Sequence, residues 1–313
     1  MKHLVLASVF AGAFALPALA DYTIIAPANP GGGWDQTART MQQVMQEDGI
    51  SPSTQVQNVP GAGGTIGLAQ FASQMKGNPD ALIVGGYVMV GAILTNNSPV
   101  SLKDVTPIAR LTGEYEAIVV PAASDIQDMA GLVAKLKENP GAVSWAGGSA
   151  GGTDHIAVGM IAKAAGVDPT KINYIAYSGG GEALAAILGN QVTAGVSSLG
   201  EFEAQVKAGT LRLLAISAPE RVEGVDAPTL KEAGLDIELQ NWRMVAAAPG
   251  LSDDQKAKVT ADIEKMVKSE NWQKQLSDKG WMDTYLSGAA FDEQLAKDEA
   301  ATQAILKDIG LVK

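Results

Sequence analysis

The sequence predicts an α/β fold, and three observations carry that reading. Short apolar runs rich in β-formers alternate with amphipathic helical stretches along most of the chain. Glycine clusters fall directly after several of those runs, where strands turn into helices. The chain has 313 residues of which 46% are apolar, enough to bury the core of a two-lobed molecule.

The elements follow in order. Residues 1–20 read as an export address, with Lys2 and His3 ahead of an apolar run from Leu4 to Leu16. Ala18-Leu19-Ala20 then gives a small-x-small cleavage pattern, with cleavage expected after Ala20. That run is too short to span a bilayer, and no cysteine is present to carry a lipid anchor. The expectation is a free periplasmic protein. Strands are expected at Tyr22–Ala26, Gln55–Val59, Ala81–Gly85, Glu116–Val120, Val143–Ala146, Ile172–Ala176, Thr193–Ser197 and Leu211–Ile216. Asp35–Asp48 reads as a helix with Ala38, Met41, Val44 and Met45 on one face. Ser252–Ser269 reads as another, opened by a capping box of Ser252 and Gln255, with Ile263, Met266 and Val267 inward. Alternating strands and helices imply mainly parallel sheets flanked by helices.

Two extended stretches, 108–121 and 236–249, mark where the chain crosses between lobes. The expectation is a lobe of residues 21–121 plus 242–313, with 122–241 inserted as the second lobe and a C-terminal region almost entirely helical. The alternative is one continuous sheet in which these stretches are ordinary strands.

Composition removes several chemistries. A chain without cysteine has no disulfide, thiolate zinc site or iron–sulfur cluster. A formal charge of −11 argues against duplex nucleic acid, which needs a basic face. Of the two histidines only His155 lies beyond the export address, so neither a metal site nor a cofactor is expected.

The glycine loops point instead to a ligand held by backbone. Gly31-Gly32-Gly33, Gly61 to Gly67, Gly147 to Gly152 and Gly179-Gly180-Gly181 each follow an expected strand. Ligands of open α/β sheets lie outside the carboxyl ends of strands, and helix starts there offer unpaired N–H groups and a positive dipole end. Four such loops together make a cradle for an anion, although each alone could be a tight turn. No Gly-Lys pair exists for a phosphate loop, and the second loop fails G-x-G-x-x-G at Ile66. Gly147-Gly148-Ser149-Ala150-Gly151 matches G-x-S-x-G of serine hydrolases, so a secreted hydrolase using Ser149 is the runner-up. Its histidine would have to be His155, only six residues on, which is poor placement for a triad. Asp35 and Asp154 are read as helix-start caps or as ligand contacts. Arg243 is read as a bidentate carboxylate partner or a structural ion pair.

Pro30 to Asp35 with Ala38-Arg39, Asn58 to Gly67, and Gly148 to His155 together resemble the Bug family. These are the extracytoplasmic solute-binding proteins of tripartite tricarboxylate transporters. Tyr177 to Gly181, Gly209 to Arg212 and Pro228 to Gly234 extend the resemblance in order along the chain. It implies a two-lobed periplasmic-binding-protein fold that closes over a carboxylate and serves two membrane subunits, one large and one small. By position it implies a carboxylate grip of Gly31, Gly32, Gly33, Trp34 and Asp35 on one lobe. Ser149, Ala150, Gly151, Gly152, Thr153 and Asp154 form the grip on the other, with Thr65, Tyr177, Gly179, Gly180 and Gly181 completing the pocket. Trp34 resembles the tricarboxylate-binding branch. The expectation is a monomeric, non-catalytic receptor for a di- or tricarboxylate, or else a ligand sensor.

Overall fold

A computed structural model of the chain describes residues 22–313, so the export address and its cleavage site lie outside the described residues. The first elements are β1 (Thr23–Ala26), α1 (Gly33–Glu47), β2 (Gln55–Asn58), α2 (Thr65–Gln74), β3 (Ala81–Gly86) and α3 (Tyr87–Thr95). The long strand β4 (Thr106–Pro121) leads away from them. Beyond it come α4 (Met129–Glu138), β5 (Ser144–Gly147), α5 (Thr153–Ala164), β6 (Asn173–Ala176) and α6 (Gly180–Leu188). They are followed by β7 (Ala194–Ser198), α7 (Leu199–Lys207) and β8 (Leu211–Ile216). The chain returns along β9 (Gln240–Ala247) and ends with α8 (Asp253–Val267), α9 (Glu270–Lys279), β10 (Met282–Ser287) and α10 (Gly288–Asp308).

The strands run in the order β2-β1-β3-β9-β4-β7-β5-β6, with β10 and β8 also paired to β4. The strands that carry the glycine loops are parallel: β1 with β2 and β3, and β5 with β6 and β7. The two long strands are not. β9 runs antiparallel to β3 and β4, and β4 runs antiparallel to β7, β8, β9 and β10. The architecture is therefore a mixed α/β fold of two lobes, with the first half of β4 in one part of the sheet and its second half in the other. Register fixes what lies at that junction. Glu114 pairs with Asn241 on β9, and two residues on, Glu116 pairs with Ser198 on β7. Residues two apart on a strand share a face, so both carboxyls come to the seam on the same side.

Local chemistry explains the helices. Ala38, Met41, Val44 and Met45 are fully buried under α1, as their spacing predicts. The capping box at Ser252 and Gln255 forms at the start of α8, with both reciprocal bonds present. The C-terminal region is almost entirely helical as expected, and its one exception is Met282–Ser287, which forms β10. Met282, Tyr285 and Leu286 fall at i, i+3 and i+4 rather than in alternation, so the stretch does not announce a strand; pairing with β4 is what holds it extended. Among the described residues, no helix is long and apolar enough to cross a membrane.

Candidate functional site

The carboxyl ends of β1, β2, β3, β5, β6 and β7 face one cleft of about 300 Å³. Four helices open onto it with glycine at the N-cap: Gly32 before α1, Gly64 before α2, Gly152 before α5 and Gly179 before α6. None of the four receives a side-chain cap. Their first-turn N–H groups have no intrahelical partner and their dipoles add positive potential, so four helix ends converge on one space. This is chemistry for an anion.

The structure brings Gly32, Gly33, Trp34, Ser149, Ala150, Gly152, Thr153, Asp154, Tyr177, Gly179, Gly180 and Arg243 to the cleft wall. It does not bring Gly31, Asp35, Thr65, Gly151 or Gly181 there. The reasons are local. Gly31 N–H donates to Asp35 Oδ2 at 2.8 Å, which folds the loop back over the start of α1. Asp35 also accepts from Arg39 Nε at 3.0 Å and from Asn58 Nδ2 at 2.8 Å, so its carboxylate is fully engaged away from the cleft. Thr65 turns its hydroxyl to the Ala62 carbonyl at 2.9 Å. Gly151 holds φ +76°, and a Cβ there would run into the Thr95 side chain, so glycine is required for loop shape rather than for contact.

Burial pushes Asp35 up, but Arg39, the Gly31 N–H and Asn58 outweigh it and leave the carboxyl below its usual range. Asp154 goes the other way. It accepts from Gly148 N–H at 2.6 Å, yet it is buried against Glu116 and near Glu201. Burial first, then the neighbouring carboxylates, raises Glu116 well above the ordinary range. Neither Glu116 oxygen meets a fixed N–H or hydroxyl donor, and its carboxyl faces that of Asp154. Two such groups cannot both ionise in a dry site, so the pair retains a proton. Glu114 is pushed up to about 7 by burial, against the opposing charge of Arg243.

Arg243 is 3% exposed. It forms an ion pair with Glu114, donates from Nη1 to Thr37 Oγ1 at 3.4 Å, and stacks its guanidinium over Trp281 at 5.1 Å. Both readings of Arg243 therefore have footing: it is ion-paired, and it lines the cleft. Among the described residues His155 makes its contacts with Gly151 and Tyr174. Its Nδ1 accepts from Gly151 N–H at 3.2 Å, its ring stacks on Tyr174 at 4.1 Å, and burial pulls it down to about 4. No group of three or more His, Cys, Asp or Glu among the described residues is arranged to hold a metal.

Sequence reasoning missed Glu201, Ser197 and Asn241, all on the cleft wall. Glu201 and Ser197 follow the same strand-to-helix logic as the glycine loops. The junction Ser197-Ser198-Leu199-Gly200-Glu201 carries one glycine, so a search for glycine clusters passes over it.

The model of the TctC family, described as the tripartite tricarboxylate transporter family receptor, matches residues 37–311. The chain is 28% identical over 232 residues to Protein BugT of Bordetella pertussis, covering 72% of this chain and 70% of that protein. A UPF0065 protein of Agrobacterium vitis is also 28% identical, over 72% of this chain; the match spans 65% of that relative's length. Among solved structures, R. palustris Rpa4515 with adipate superposes with a TM-score of 0.85 at 20% identity, covering 93% of this chain and 97% of that one. MatC (Rpa3494) of Rhodopseudomonas palustris with bound malate gives 0.78 at 21% identity, covering 91% and 98%.

Proposed function

The chain belongs to the TctC family of tripartite tricarboxylate transporter receptors, and on that premise we propose that it is a periplasmic receptor for a small organic acid anion. The single observation that carries this reading is the convergence of four uncapped, glycine-started helix ends on one cleft. Backbone donors there can grip a carboxylate although the chain as a whole is acidic. The ligands named for two structures of the same fold, malate and adipate, are of that class.

In this reading Gly32 to Trp34 grip from one lobe, and Ser149, Ala150 and Gly152 to Asp154 with Gly179 and Gly180 from the other. The lobes comprise residues 21–121 plus 242–313 and residues 122–241. The chain crosses between them on β4 and β9, which serve as the hinge strands. Capture would present the loaded form to the membrane subunits of a tripartite transporter. Each grip completes its contacts only when both lobes meet, which supplies the differential affinity that closure needs. The Ser149 hydrolase reading draws no support from the site, since His155 faces Gly151 and Tyr174.

A thermal-shift screen of mono-, di- and tricarboxylates tests the proposal. A true ligand at 100 times its Kd raises stability by about 2.7 kcal/mol. Scattering from the same mixture should show a smaller radius of gyration. Absence of any stabilising organic acid would refute the receptor reading.

A further inference from the structure

Acidic side chains stand on the cleft wall beside the helix ends, and that restricts what can lie on it. Arg243 is the one cation lining the cleft among the described residues, and it is already paired with Glu114. Asp154 and Glu201 line the cleft, with the wholly buried Glu116 behind them against Asp154. Glu201 projects from the first turn of α7. Its Oε2 accepts from Ser197 Oγ at 2.8 Å, and among the described residues no hydrogen bond reaches Oε1.

Two glycines show where that free oxygen points. A Cβ on Gly33 would stand 2.5 Å from Arg243 Nη2 and 3.2 Å from Glu201 Oε1, so both groups face the same spot at the start of α1. A Cβ on Gly180 would collide with Glu201 Oε2, which places this carboxylate against the start of α6 as well. A ligand carboxylate seated on the helix ends and Arg243 therefore brings its neighbouring atoms within reach of Glu201 Oε1. A methylene there leaves a carboxylate oxygen stripped of water without a donor, which is unfavourable. A hydroxyl or ammonium group supplies the donor.

We propose that this cleft selects organic acids bearing a hydrogen-bond donor, hydroxyl or ammonium, next to a carboxylate, and that Glu201 is the residue that reads it. The inference rests on the organic-acid reading of the site. Its chemistry is that of a polar site rejecting the analogue that lacks the matching group.

Calorimetric titration of matched sets tests it: succinate, L-malate and L-aspartate; glutarate, 2-hydroxyglutarate and glutamate; tricarballylate and citrate. In the set that fits by length, a donor-bearing acid should bind about tenfold or more tighter than its bare counterpart. Malate against aspartate distinguishes hydroxyl from ammonium. Glu201→Gln should bring members of that set within about threefold of each other while the protein still melts cooperatively. Bare acids binding as tightly as their donor-bearing partners in the wild type would overturn the role of Glu201 and leave the receptor reading standing. So would an unchanged preference in Glu201→Gln. Binding of none of these acids would overturn the donor preference, and the wider carboxylate screen then decides the receptor reading. The wild-type comparison decides the matter even if the variant does not fold.

Discussion

The loops after β1 and β5 are built alike and carry opposite electrostatics. Each runs from a parallel strand through glycines into a helix, with an aspartate in the first turn that accepts a hydrogen bond from a loop N–H upstream. Asp35 meets Arg39 and Asn58, which hold it charged and low. Asp154 meets Glu116, and the pair is held high by burial and by its own repulsion. The first loop thus has a locked anchor beside the cleft, whereas the second puts a proton-sharing acid on its wall. The local motif sets the loop's shape; the residue contributed by a distant strand sets its charge.

The largest effect should come from removing the cation that offsets the acidic seam. Arg243→Met leaves Glu114 buried without its partner, and breaking such a pair costs about 3–5 kcal/mol. Denaturant unfolding at pH 7.5 measures it. Glu114 already stands raised to about 7, so the penalty should shrink toward pH 5, where it takes up a proton. A penalty that does not change with pH would mean that Arg243 acts through packing on Trp281 rather than through charge.

Next in size is the contrast between the two aspartates. A carboxyl lowered by folding stabilises above its ordinary range and loses that contribution as pH falls through its folded pKa. Asp35→Asn should therefore cost about 1–3 kcal/mol at pH 7.5, with the difference fading below about pH 4. A raised pair does the reverse: its contribution is whole below the ordinary carboxyl range and is lost as pH climbs through the raised values. The wild type should lose stability between roughly pH 5 and 8, each unit of raised pKa being worth about 1.4 kcal/mol. Glu116→Gln, whose amide can donate to Asp154 without a titrating proton, should flatten that slope and melt higher than wild type at pH 8. Equal and same-signed responses of Asp35→Asn and Glu116→Gln would erase the comparison.

Much of this was legible in the sequence, and what was not has a physical cause. Strand-to-helix glycine loops are a local signal, so the loops holding Gly32, Gly152 and Gly179 could be read from the sequence as helix starts, and all three line one cleft. The helix faces of α1 and α8 were equally legible, because 3.6-residue periodicity and capping are short-range. Charge was not. Nothing near Asp154 in sequence announces Glu116, which arrives from 38 positions earlier because β4 pairs with β7. Glu201 was hidden because its strand passes straight into α7 without a glycine cluster. Asp35 could not be separated from Asp154 for the same reason: Arg39 lies one turn on, but the decisive difference is what the sheet brings across.

The smallest effect tests how the loop after β1 communicates with the loop after β6 across the cleft mouth. Asn29, in the loop after β1, donates from Nδ2 to Glu182 Oε1 on α6 at 3.1 Å. The other oxygen, Oε2, accepts from Ser178 N–H at 3.1 Å, so one side chain both shapes its own loop and reaches the opposite one. Both residues are accessible to water, which competes for the bond, and an exposed link of this kind is worth about 0.2–1 kcal/mol. Asn29→Ala should weaken ligand binding by that amount, less than about sixfold in Kd. Glu182→Ala should cost more, because it also releases Ser178. A double-mutant cycle on Kd isolates the cross-cleft part. Coupling of a few tenths of a kcal/mol or more means that the loops meet in the loaded form. Zero coupling, with each single mutant still weakened, would mean that the two grips act independently and that closure is not transmitted through this contact.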